Sequence, residues 1–121
     1  MTSLDLWHSF VDSFAQLHDG MHRNWIVERG MYPDVEQNSH VNALLASLSE
    51  SQRRVLAEMM VEARRGGVHD ALVILNNRLA LNDATYSEHG VAMEFQPYGT
   101  TLYQDYVARQ AGEPWPESGD A

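Results

Sequence analysis

A chain of 121 residues with seventeen Asp and Glu against eight arginines, no lysine and no cysteine carries a formal net charge of −9. That balance excludes disulfides, thiolate nucleophiles and thiolate zinc sites, and it argues against direct DNA or RNA binding, which needs clustered cations. The length fits one domain with a single core that buries roughly 65% of the unfolded surface, and 44% hydrophobic against 21% charged residues is a globular balance.

No run approaches the roughly 20 apolar residues that cross a bilayer. Met1 to Asp12 lacks the cationic start of a secretory signal, so a cytoplasmic location without membrane attachment is expected. The missing lysines, only two isoleucines and abundant Ala and Arg fit a GC-rich bacterial genome.

The first segment, Leu4 to Glu28, reads as one amphipathic helix. Leu6, Trp7, Phe10, Val11, Phe14, Leu17, Met21 and Trp25 recur at three- and four-residue steps and form one wide stripe. Gly20 interrupts it at a cost of roughly 1 kcal/mol relative to alanine, and a continuous helix is the expected outcome. Gly30 ends the segment, and Tyr32-Pro33-Asp34 opens a polar loop to about Ser39. A short helix follows over His40 to Ser47, with Val41, Leu44, Leu45 and Leu48 inward.

Ser49-Glu50-Ser51-Gln52 matches a capping box, in which Ser49 and Gln52 each satisfy the other's backbone amide. The helix it starts shows Val55, Leu56, Met59, Met60 and Ala63 on one face. Arg64 and Arg65 suit the negative end of its dipole, and Gly66-Gly67 reads as its stop. A new helix then begins near Asp70 and buries Ala71, Leu72, Leu75 and Leu79. Its end gives way to turn-rich sequence, and Val91 to Phe95 alternates as a short half-buried strand does, with Leu79 to Leu81 as its expected partner. After the Pro97-Tyr98-Gly99 turn, Thr100 or Thr101 caps a last helix carrying Leu102, Tyr103, Tyr106 and Val107 and ending near Ala111-Gly112. The whole reads as a mainly α, single compact domain over 1–112, with about five helices and a small β-hairpin-like element before the last. Residues 113–121 form an acidic, partly flexible tail on which Trp115 can fold back.

Chemistry-bearing patterns are sparse. On a helix, His18 and His22 would project to one side, as paired metal ligands do, with His40, His69 or Glu28 as a third ligand. The residues between them lack the general base of an HExxH arrangement. Two histidines at the edge of the apolar stripe is therefore the preferred reading, and a metal-dependent helical enzyme the alternative. His69-Asp70 diverge by about 100° on a helix, and no nucleophile motif accompanies them. No catalytic residue and no cofactor are expected.

Glu58 and Glu62, interleaved with Arg54 and Arg65, form a solvated face of weak ion pairs worth a few tenths of a kcal/mol each. The negative surplus lies outside that helix. Tyr32, Tyr98 and Trp115 combine rigid aromatics with neighbouring acids, the mixture binding surfaces favour. The expected partner-binding residues are therefore Tyr32, Asp34, Glu36, Tyr98, Glu113, Trp115 and Glu117.

The stretch from Leu48-Ser49 through Gln52-Arg53, Leu56-Ala57, Glu62-Ala63-Arg64 and Gly67-Val68-His69-Asp70-Ala71-Leu72 resembles a block in a family of small uncharacterised bacterial proteins. Pro97-Tyr98-Gly99-Thr100 and Gly112-Glu113-Pro114-Trp115-Pro116-Glu117 resemble that family's C-terminal block. The resemblance implies a stable helical domain with no established activity. In size and charge the chain also resembles bacterial immunity proteins, which implies a basic protein partner, a secreted toxin that the chain would neutralise. The leading expectation is a protein-binding domain of that kind. A metal-dependent enzyme and a structural homodimer are the competing classes.

Overall fold

The computed structural model describes residues 1–117. By its own packing the chain forms two compact units, Met1–Leu17 together with Gly67–Ala121, and His18–Gly66.

The first unit begins with α1 (Ser3–Ala15). A capping box between Thr2 and Asp5 satisfies both backbone amides at its start. Trp7 and Val11 from α1 meet Leu72 and Leu79 of a long α4 (Glu50–Ala80) and Leu102 and Tyr106 of α5 (Leu102–Gln110) in one core. Thr101, rather than Thr100, caps α5, again with a reciprocal partner in Gln104. The buried Asn76 of α4 accepts from the Leu102 amide at 3.0 Å. This satisfies a donor at the start of α5 that has no partner within its own helix. Among the described residues no buried side-chain polar atom is left without a partner.

Between α4 and α5 lies the two-stranded hairpin, β1 (Ser87–Glu88) with β2 (Val91–Ala92), antiparallel with Glu88 opposite Val91. His89 and Gly90 make its two-residue turn with φ of 50° and 79°, the positive values a type I′ turn requires. The expected partner, Leu79 to Leu81, is the end of α4 and the turn that follows it instead. Asn82, at φ 59°, turns the chain there, and the Asp83 and Ala84 amides close the helix by donating to the Arg78 carbonyl.

The second unit contains α2 (Met21–Asn24), which runs directly into a π-helical turn, Trp25–Arg29. Gly30, at φ 72°, ends it. A 3-10 turn at Glu36–Asn38 leads into α3 (Ser39–Ser47), and Ile26, Leu45 and Ala57 form the buried centre with Leu48, Val41 and Leu56 around them. The Ser49–Gln52 capping box is present, with the Gln52 amide donating to Ser49 Oγ at 3.1 Å and the Ser49 amide to Gln52 Oε1 at 2.9 Å.

Three expectations of helix continuity and facing are corrected. The segment Leu4 to Glu28 is not one helix: Gly20 stands at φ 90°, outside the helical region, and the chain from Leu17 to Gly20 is non-helical. Leu17 and Met21 consequently leave the apolar stripe, 48% and 61% exposed. Gly66-Gly67 is no stop, because both residues continue α4 without adopting the left-handed backbone that a glycine cap uses. Asp70 is then a mid-helix, solvent-facing residue. Finally, the small Ala57 and Val61 face inward on α4, while Val55 and Met59 point out at 56% and 63% exposure; Leu44 of α3 is also exposed. Within the described residues no helix is long and apolar enough to cross a membrane.

Candidate functional site

The first unit carries a cleft of about 250 Å³ between α5, the turn before it and the segment that follows it. Tyr98, Asp105 and Arg109 line it from the turn and α5, and Glu113, Trp115 and the flanking prolines 114 and 116 from the C-terminal segment. The proline pair fixes φ on both sides of Trp115, so the indole is presented from a stiffened strap.

His8, Arg109 and Asp12 all hold Trp115. Its ring lies 4.2 Å from the His8 imidazole at an interplanar angle of 7°. The Arg109 guanidinium sits 5.0 Å from its centroid, and its indole N–H donates to Asp12 at 3.3 Å. Arg109 donates to both Asp12 oxygens, at 2.8 and 3.3 Å, and to the Glu113 carbonyl at 2.9 Å. This fork-to-carboxylate pair is three-quarters or more buried on both sides, which sets it apart from exposed pairs worth about 0–1 kcal/mol. Asp12 thereby neutralises Arg109 and ties α1, α5 and the strap together.

Asp105 forms the cleft's buried carboxylate at 7% exposure. One of its oxygens accepts from the Trp7 indole N–H at 2.9 Å and the other from the Thr100 hydroxyl. Tyr98 hydrogen-bonds the His8 Nε2 and stacks near both His8 and Trp115, at 5.8 and 5.9 Å. Burial pushes the His8 imidazole below its ordinary pKa, with the Arg109 charge assisting and Asp12, Asp5 and Asp105 opposing. Burial also raises the Tyr98 phenol, reinforced by Asp105 and Glu94. His8 thus favours its neutral form, able to accept from the Tyr98 hydroxyl.

Of the residues expected to bind a partner, Tyr98, Glu113 and Trp115 therefore come together in one cleft. Glu117 is exposed just beyond it in sequence, at the last described position. Tyr32, Asp34 and Glu36 belong to the second unit. There Tyr32 packs with Trp25 and His22 at centroid distances of 5.0 and 5.2 Å, and its hydroxyl meets His22 Nδ1 at 2.9 Å. Asn42 grips the Tyr32 backbone, accepting from its amide and donating to its carbonyl. Asp34 and Glu36 are exposed.

The paired-ligand geometry proposed for His18 and His22 is absent, because the break at Gly20 takes His18 out of any helix. His18 Nδ1 accepts from the Gly20 amide, and His22 is engaged with Tyr32. Among the described residues no three His, Asp or Glu side chains are grouped to hold a metal ion.

Sequence reasoning missed His8, Asp12, Asp105 and Arg109. The signal was present in part: His8 and Asp12, and likewise Asp105 and Arg109, stand four apart on their helices, which puts each pair on one face. What joins the two pairs is tertiary packing across about a hundred residues of chain, which no local pattern reports.

Charge is divided unevenly. Met1–Leu17 and Gly67–Ala121 hold ten of the seventeen acids and two of the eight arginines, whereas His18–Gly66 holds seven acids and six arginines. The surplus thus belongs to the unit that carries the cleft.

A model of a family of unknown function, DUF6547, matches residues 1–117. The chain belongs to this family. The match covers every described residue, including the strap, so the DUF6547 pattern extends over both units and the whole cleft lining. No curated protein and no solved structure matches the chain.

Proposed function

We propose that this DUF6547 chain is an acidic protein-binding domain that engages a cationic protein partner through the Tyr98–Trp115 cleft. One observation carries the reading: the aromatic cleft and nearly all of the negative surplus belong to the same unit. A surface of one sign steers an oppositely charged partner and speeds its association in a salt-dependent way. Stiff aromatics at a cleft supply contact area at low entropic cost, and they dominate interface energetics. Exposed Asp34 and Glu36, beside Tyr32, are proposed as a secondary contact, since their unit is close to neutral.

The finer proposal is an immunity protein that occludes a cognate toxin in the cytoplasm. Its support is the size and charge of the chain, together with the basic clefts that toxins acting on nucleic acid require. The test is affinity capture from the native host with the wild-type chain and with Trp115→Ala. The reading requires a captured protein that is basic, is released by salt, is lost with Trp115→Ala and kills cells lacking this chain. Capture of nothing, or of a neutral protein that is indifferent to salt, would overturn it.

A further inference from the structure

We infer that the cleft is a receptor for a single guanidinium group, an arginine side chain presented by the partner. This rests on the protein-binding reading above and names the chemistry it uses.

Three features of the cleft select that group. Its walls are apolar and flat where Tyr98, Pro114 and Trp115 line it, which suits the methylene stem of a long cationic side chain. Its charged groups are Asp105 and Glu113 together with Arg109, and Arg109 is already matched by Asp12. Two carboxylates therefore remain for an incoming cation. Each Asp105 oxygen accepts one hydrogen bond and keeps further acceptor capacity.

The molecule already contains the recognition mode. Arg109 lies over the Trp115 ring at 5.0 Å while forking onto Asp12. His8 and Arg109 already cover the Trp115 ring, so what distinguishes an incoming group is the pairing of a carboxylate through two parallel N–H bonds, which a planar guanidinium makes and a compact ammonium cannot. Arginine is accordingly favoured over lysine.

The experiment titrates the full chain with N-acetyl-arginine methylamide and follows the Trp115 indole N–H by NMR, assigned by its loss in Trp115→Phe. The neutral citrulline analogue and the lysine analogue are run alongside, together with Glu113→Gln as a variant that leaves the packed residues intact. A saturable Trp115 shift in the millimolar range is expected, about tenfold weaker for citrulline, weaker for lysine, and weaker again in Glu113→Gln. No saturable shift, or equal response to arginine and citrulline, overturns the inference. Host capture separates the two claims. If the arginine probe fails while salt-sensitive capture persists, the guanidinium site falls and the binding domain stands. If the probe binds while capture yields nothing, the site stands and the protein-binding reading falls.

Discussion

The His8 imidazole lies parallel to the Trp115 indole, with ring centroids 4.2 Å apart and planes 7° from parallel. Residues near opposite ends of the chain thereby meet at a ring that lines the cleft, and the strap from Glu113 to Glu117 is part of the folded unit. An aromatic pair adds about 0.5–1.5 kcal/mol beyond its buried area, and an exposed cation–π contact about 0.5–1 kcal/mol. Trp115→Ala should therefore destabilise the chain by about 2 kcal/mol in urea unfolding. Trp115→Phe, which keeps stacking but loses the indole donor to Asp12, should cost about half as much.

Acidification should weaken the fold through His8. Its folded pKa is depressed by burial, so the unfolded chain binds more protons and stability rises with pH. That contribution is complete above the ordinary imidazole value of about 6.5, and it is lost as pH falls through that value toward the depressed one. Asp5, whose carboxyl is held low by the backbone and side chain of Thr2, adds a loss only in the carboxylate range, near pH 4 and below. Urea midpoints between about pH 7.5 and 5.5 should fall more steeply for wild type than for His8→Gln.

Asp105 anchors the floor of the cleft by accepting from the Trp7 indole, which is fully buried. Asp105→Ala strands that N–H without a partner, at a cost of about 1–3 kcal/mol. The loss should appear in the denaturation midpoint, and it should exceed that of Glu113→Gln, which removes an exposed charge.

Much of this architecture was readable in the residues. Reciprocal signatures such as Ser49 with Gln52 are local chemistry, and they predicted the start of α4 correctly. The folding back of Trp115 was also legible, as was a small hairpin before α5, though its partner strand is Ser87–Glu88 and not Leu79 to Leu81. The failures have physical causes. Gly20 and Gly66-Gly67 are the same residue type, yet one breaks a helix and the others continue one, because glycine admits either backbone and its identity does not report which it takes. On α4, side-chain size misled: Val55 and Met59 attract attention as core residues, while the smaller Ala57 and Val61 are the buried ones in that stretch. The cleft was half legible, through Tyr98, Glu113 and Trp115. Arg109 completes its lining, held in place by Asp12 from a helix far away in sequence.

The glycines inside α4 give a prediction of opposite sign. A Cβ at Gly66 or Gly67 would meet nothing within 4 Å, and both positions are helical. Gly66→Ala and Gly67→Ala should each stabilise the chain by roughly 0.5–1 kcal/mol. A loss of partner capture without a loss of stability would show that these positions touch the partner.

The central claim is that the acidic, cleft-bearing unit draws in a cationic protein. Its most direct test is titration calorimetry of the captured partner against the wild-type chain and a Glu113→Gln/Glu117→Gln variant, at low and at physiological ionic strength. Screening shortens the reach of exposed charges to about 8 Å at physiological salt. The account predicts wild-type affinity that falls as salt rises, with a weaker affinity and a shallower salt slope in the variant. Affinity indifferent to salt, or identical in the two chains, would contradict it.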